Sequence, residues 1–199
     1  SIQSNTLGSI VHKVFEEGLK KTALNVTLNE SHLKDILSQV DELLADAIAE
    51  EYKYGPSDRG ENFLLIRSAR STIKKILQRE ISELNKDGCH ITITGLEEQI
   101  DATYTLKDGS EIKFFGMADR VEKIDGVTRV VDYKTGQATQ SELNLKDSNT
   151  GDWDGEEGKL NRGKASKALQ LLVYCAMLLK RDENLEVVNA AIRSGRNVH

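Results

Sequence analysis

Apolar residues recur at helical spacing through the first half of the chain. Leu7, Ile10, Val11, Val14, Phe15 and Leu19 form one stripe, with Asn5 or Thr6 placed to cap it. Leu33, Ile36, Leu37, Val40, Leu43, Leu44, Ala47 and Ile48 form a second. The turn signals Gly55-Pro56-Ser57 follow, and Asp58 precedes Glu61 at the spacing of a capping box. A third stripe runs through Phe63, Ile66, Ala69, Ile73, Ile76 or Leu77, and Leu84, and ends near Asp87-Gly88.

The pattern then changes to strands. Ile91 to Leu106 and Ile112 to Ile124 are rich in β-branched and aromatic residues. Asp108-Gly109 lies between them as a hairpin signal, and Asp125-Gly126 is a second, followed by Val127 to Lys134. A three-strand antiparallel meander is expected. Gly136 to Gly163 is polar and reads as a long loop, of a length that is usually functional or disordered. Ser141 to Gly158 is acidic, whereas Lys159 to Lys167 holds Lys159, Arg162, Lys164 and Lys167 and no acid. An apolar helix, Ala165 to Leu179, and a last strand, Glu186 to Ile192, complete the expectation.

Two tight turns imply specific neighbours. Alternation puts Asp132 and Lys134 on one strand face, with Val131 and Tyr133 on the other. A two-residue loop at Asp125-Gly126 sets Ile124 opposite Val127, Val121 opposite Val130, and Asp119 opposite Asp132; Lys134 then falls opposite Met117. Like charges directly opposite are destabilising, and a divalent cation held by carboxylate oxygens would relieve that. Lys134 adds a positive charge beside the pair. A solvated hairpin face carrying salt bridges would present the same spacing.

The chain has 199 residues, enough for one domain with a core or for a domain with a helical appendage. Two cysteines, Cys89 and Cys175, cannot make a disulfide framework or a four-thiolate site, and are expected to be reduced cytosolic thiols. The longest apolar stretch, Ala168 to Leu179, is too short to span a bilayer, and no secretion signal opens the chain, so a cytoplasmic protein with no membrane association is expected. The net charge of −5 does not favour nucleic-acid binding except through a local basic surface.

Gly116-Met117-Ala118-Asp119-Arg120-Val121-Glu122 and Val130-Val131-Asp132-Tyr133-Lys134-Thr135-Gly136 resemble the two central motifs of RecB-like nucleases of the PD-(D/E)XK superfamily. Gly8-Ser9-Ile10-Val11-His12 is similar to the glycine-to-histidine helix motif of that family, and Gln170-Leu171-Leu172-Val173-Tyr174 to its glutamine–tyrosine helix motif. All four stand in the family's order. The resemblance implies metal ligands at His12, Asp119, Asp132 and the Tyr133 carbonyl, with Lys134 assisting the attacking water. It places Gln170 and Tyr174 near the active site and the DNA backbone. A glutamate is also common in the preceding strand of the family. Glu97 fits that place, whereas counting from Asp108-Gly109 sets Glu98 opposite Asp119, and both stay candidates. Arg120 points away from the carboxylates in this register and reads as structural.

The fold implied is restriction-endonuclease-like α/β: a central mixed sheet flanked by helices, with extra N-terminal helices. Residues 1–199 would form one such domain, mainly helical over 1–88 and with the sheet core over 89–199. The implied activity is hydrolysis of DNA phosphodiester bonds with Mg2+ or Mn2+, as an exonuclease in recombination or repair. Lys164 and Lys167 of the basic run would grip phosphates. A helicase subunit or domain is an expected partner, because the abrupt ends fit a piece of a larger helicase-associated protein. The rival readings are a non-catalytic DNA-binding module on the same fold and a scaffold for protein partners. The four-cysteine iron–sulfur site of some RecB-like nucleases is excluded by composition.

Overall fold

The computed structural model describes residues 2–138, 143 and 166–195. The acidic segment and the basic run up to and including Lys164 lie outside the described residues, apart from Leu143. Among the described residues, four helices and four strands follow in the order α1 (Ser4–Thr22), α2 (Glu30–Glu51), α3 (Gly60–Asp87), β1 (Ile91–Thr105), β2 (Glu111–Ile124), β3 (Val127–Lys134), α4 (Ser166–Arg181) and β4 (Val188–Ser194). No helix among the described residues is long and apolar enough to cross a membrane.

The three N-terminal stripes are the inward faces of α1, α2 and α3, except that Phe63 of the third is 46% exposed. Their starts differ from expectation. Asn5 and Thr6 lie inside α1, whose cap position is Gln3 without a side-chain bond. Asp58 lies outside α3, which begins after Arg59, also without a side-chain cap. Asn62 instead ties the chain there, accepting from Ile2 N and donating to Tyr52 Oη and Pro56 O. The capping box belongs to α2, between Asn29 and His32. Gly88, in the left-handed region at φ 59°, ends α3.

The sheet has the order β1-β2-β3-β4. The first three strands are antiparallel neighbours, and β4 runs parallel to β3. The sheet is therefore mixed, and α4 lies in the connection that a parallel pair requires. One core forms between α1–α3 and the sheet, with Phe15, Ile36, Ile73, Leu77, Ile93, Val131 and Tyr133 buried in it. A second forms between the opposite face and α4, from Ile100, Ala102, Ala118, Val121, Val130, Met177 and Leu178. Each such side chain contributes about 1.5–3 kcal/mol on burial. Val130 and Val131, adjacent in sequence, enter opposite cores, so β3 is covered on both faces and its end near Lys134 is held from both sides. This is the restriction-endonuclease-like α/β arrangement with added N-terminal helices.

Candidate metal centre

The Asp125-Gly126 turn sets the geometry of the site. Both residues take left-handed backbone, at φ 48° and 90°, as a two-residue hairpin of matching twist requires. Ile124 pairs with Val127 and Val121 with Val130, and the ladder continues to Arg120 with Val131. Asp119 and Asp132 come next in that count, but the paired ladder stops before them, and Met117 pairs with Gln99 on its other side.

Two side chains stand where β2 backbone would continue. Alternation makes Ala118 and Tyr133 the next pair due to exchange ladder bonds. Instead Tyr133 N donates to Asp119 Oδ2 at 2.6 Å, and the Tyr133 carbonyl faces His12 Nε2 at 2.9 Å. A carbonyl only accepts, so Nε2 carries the hydrogen in this arrangement. The other ring nitrogen, Nδ1, lies 3.4 Å from Asp119 Oδ1 and 3.9 Å from Glu97 Oε1. In a neutral imidazole with Nε2 protonated, Nδ1 is a lone pair. A lone pair facing two carboxylates calls for a proton or a cation between them. His12, Glu97 and Asp119 offer donor atoms that all lie within 4.8 Å of one another.

Glu97 reaches this cluster through a distortion of β1. The β1–β2 register shifts between Ile93 and Gly95, and Glu97 has φ 43°, a left-handed value uncommon for a residue other than glycine. The turn at the far end also differs from expectation. Leu106 N donates to Ser110 O, so the loop is the three residues 107–109, not two. That extra residue moves the register by one. Leu96 faces Arg120 and Glu98 faces Ala118, which leaves Glu97 across from Asp119. Glu98 is not in the cluster; it pairs with Arg181 of α4 at 2.7 Å.

The ribbon turns over at this same place. Leu96 packs with the N-terminal helices and Arg120 reaches Glu80 of α3. Ala118, two positions from Arg120, and Ile100, four positions from Leu96, pack against α4. Glu97 and Asp119 thus sit at the reversal between the two cores.

Asp132 and Lys134 share the face toward α4. Lys134 Nζ lies 2.9 Å from Asp132 Oδ1 and 2.9 Å from Oδ2, and 3.3 Å from Gln170 Oε1. Only the Oδ1 contact has hydrogen-bond geometry, and Oδ2 is buried without a hydrogen-bond partner. Gln170 Nε2 donates to Tyr174 Oη at 3.1 Å. Tyr174 can lie against β2 because position 116 is glycine: a Cβ there would meet Tyr174 Cε1 at 2.6 Å. Lys167 donates to Gln137 O at 2.6 Å.

The electrostatics of the acids follow from burial and crowding. Burial raises the Asp119 carboxyl above the ordinary range; His12 opposes this, and Asp132 adds to it, while the Tyr133 N–H and Lys134 pull downward. Burial also raises Glu97, reinforced by Asp119. A hard divalent cation fits these residues. It would take carboxylate oxygens from Glu97 and Asp119 and could use Asp132 Oδ2, which is ion-paired with Lys134 but accepts no hydrogen bond.

Beneath the site lies an ionic network that the motifs do not announce. Arg120, fully buried, donates from Nη1 to Glu80 Oε1 at 3.0 Å and to the Tyr133 hydroxyl at 3.0 Å, and pairs with Glu122. The Tyr133 phenol is pushed up by burial, and its ring stacks on Phe15 at a centroid separation of 4.1 Å. Glu80 offers a sequence signal: an acid on the apolar face of α3, three residues after Leu77 and four before Leu84.

The model of the PD-(D/E)XK nuclease superfamily matches residues 1–195. No curated protein matches the chain. With that match over nearly its whole length, the chain belongs to the PD-(D/E)XK nuclease superfamily.

Proposed function

We propose that the chain is a divalent-metal-dependent deoxyribonuclease, acting as an exonuclease in recombination or repair. The observation that carries the reading is the convergence of His12 Nδ1, Glu97 and Asp119 on one point, with Lys134 held beside Asp132 and Gln170. His12, Glu97, Asp119 and Asp132 would hold the ion, which when bound polarises the phosphate and lowers the pKa of a water. Mg2+ suits the oxygen donors, and Mn2+ accepts the histidine more readily.

Lys134 is the cation that β3 places on this face. Asp132 and Gln170 fix its ammonium at two points, so it is positioned in advance to meet negative charge developing on the phosphate. Water oxygen forms a bond to phosphorus, the bond to the leaving oxygen breaks, and that oxygen takes up a proton. Tyr133 contributes through its backbone, orienting His12 and Asp119 from its carbonyl and N–H. Gln170, Tyr174 and Lys167 on α4 would meet the DNA backbone, together with Lys164 of the same basic run.

The test is cleavage of end-labelled linear DNA beside closed circular DNA, with Mg2+ or Mn2+ and with chelator. Metal-dependent loss of the linear substrate alone is expected, falling by at least 100-fold in Lys134→Ala. Unchanged cleavage in Lys134→Ala would overturn the role of that residue. Binding of DNA without cleavage under any metal would favour the non-catalytic module.

A further inference from the structure

We propose that the face of the β1–β2 ribbon turned away from α4 is a nucleobase-stacking subsite, with Phe115 as its platform. This rests on the reading of the metal centre as a DNA-cleaving site, and deepens it by naming a contact for the bases.

The placement follows from strand alternation. Gly116 lies under Tyr174 and Ala118 packs in the α4 core. Met117 and Phe115 therefore point to the other side, along the strand from Asp119. The β3 ladder reaches only to Arg120, so the ribbon projects beyond it. Phe115 is 83% exposed and Met117 47% exposed. Four residues of strand separate Phe115 from Asp119, about 13 Å at 3.3 Å per residue, a span of a few nucleotides.

The surroundings select the occupant. On β1, Asp101 is opposite Phe115, Gln99 opposite Met117 and Thr103 opposite Lys113. One aromatic framed by hydrogen-bonding and charged side chains does not match an apolar protein surface, which would need a broader patch. It does match an unpaired base, which stacks on the ring and offers polar edges to its neighbours. Asp101 disfavours a phosphate directly over Phe115, whereas Lys113 two positions along is suited to one. Continuity with the metal centre on the same strand places this base a short distance from the scissile bond.

Fluorescence anisotropy with a labelled oligothymidylate and an equally long abasic oligomer separates stacking from phosphate binding. Ca2+ replaces Mg2+ so that nothing is cut. Phe115→Ala should weaken the oligothymidylate by about 5- to 150-fold and leave the abasic oligomer unchanged, and Phe115→Tyr should restore binding. Phe115 is exposed, so its replacement leaves the core intact. Equal losses on both oligomers, or no loss on either, overturn the proposal. So does concentration-dependent self-association that Phe115→Ala removes without altering oligothymidylate binding, which would make the face a contact between copies of the chain. Base-dependent binding by a wild-type chain that cleaves nothing in any metal would sink the nuclease reading and leave the subsite standing. Metal-dependent cleavage without base-dependent binding would do the reverse.

Discussion

Arg120 Nη1 donates to the Tyr133 hydroxyl at 3.0 Å, so the residue after Asp119 grips the residue between Asp132 and Lys134. Tyr133 in turn holds Asp119 through its N–H and His12 at its carbonyl. The proposed metal centre and the buried ionic network are two sides of one residue. Side chains facing the helices fix the phenol, and the backbone in the plane of the sheet fixes the ligands.

Removing Arg120 should therefore affect both stability and metal binding. Its loss would leave Glu80 with Arg193 and Glu122 with Arg129 as remaining partners, so the cost should fall below the about 3–5 kcal/mol of a buried charge left wholly uncompensated. Arg120→Met is expected to lower the unfolding free energy obtained from urea titration by less than that amount, seen as a lower midpoint. Arg120→Lys should recover part of the stability but less of the Mn2+ affinity, because one ammonium cannot span Glu80, Glu122 and Tyr133 together. Calorimetric titration of Mn2+ into both variants, under conditions where each is folded, separates positioning from folding. Equal Mn2+ affinity in wild type and Arg120→Lys would remove the positioning role.

Without metal, the acids of the centre destabilise the folded chain at neutral pH. Asp119 and Glu97 both have carboxyls raised above the ordinary range. A raised carboxyl binds its proton more tightly in the folded state. Its favourable contribution is complete below the unfolded value and is lost as pH rises through the folded one. Asp119→Asn should thus raise the Tm of the metal-free protein by a few degrees near neutral pH. The gain should shrink as pH falls below the ordinary carboxylate range. With saturating Mn2+ the order should invert, since metal stabilises only the chain that binds it. Thermal melts across pH, with and without Mn2+, check both halves. A Tm gain independent of pH would contradict an origin in the charge of Asp119.

Glu97 allows its conformation to be tested apart from its charge. Left-handed backbone at φ 43° costs a side-chain-bearing residue about 1 kcal/mol or more, and glycine avoids that cost. Glu97→Gly should be as stable as wild type or more so, while losing at least tenfold in Mn2+ affinity. Glu97→Gln retains the strain and loses the charge, so it should bind Mn2+ as weakly as the glycine variant without its stability. Denaturation and calorimetry on the pair decide the matter; full Mn2+ affinity in Glu97→Gln would exclude the carboxylate from the centre.

Sequence reading succeeded where local chemistry determines geometry. Asp125-Gly126 admits few turns, and the β2–β3 register follows from it through Arg120 with Val131. The three helical stripes became three inward faces because periodicity records which side meets the core. It failed where one extra residue enters a strand or loop. Asp108-Gly109 closes a three-residue loop, since Asp108 accepts from Ser110 N and Gly109 supplies the left-handed position, and this shifted the count toward Glu98. The bulge near Gly95 and the reversal at Glu97 leave no mark in hydrophobic periodicity. The helices do not start at Asn5 and Asp58, because a polar residue at the right spacing does not fix which turn begins the helix. Arg120 was legible as pointing away from the acids, but its partner Glu80 lies 40 residues earlier on another element.

Gly116 bears on the proposed role of Lys134. It has no side chain where Tyr174 lies, and a methyl group there would meet Tyr174 Cε1 at 2.6 Å. Tyr174 accepts from Gln170, and Gln170 accepts from Lys134. Gly116→Ala should therefore push the α4 side chains off β2 and loosen the hold on Lys134. Overpacking of this kind costs about 1–3 kcal/mol, which the urea midpoint will show. The more specific expectation concerns cleavage: kcat should fall by about tenfold or more with a much smaller change in Mn2+ affinity, because of the proposed ligands only Asp132 touches Lys134. Replacing Tyr174 by leucine in the same chain relieves the clash and should restore the midpoint, but not kcat, since Gln170 still lacks its anchor. Full recovery of kcat in that double variant would show that Lys134 is positioned without Gln170 and Tyr174.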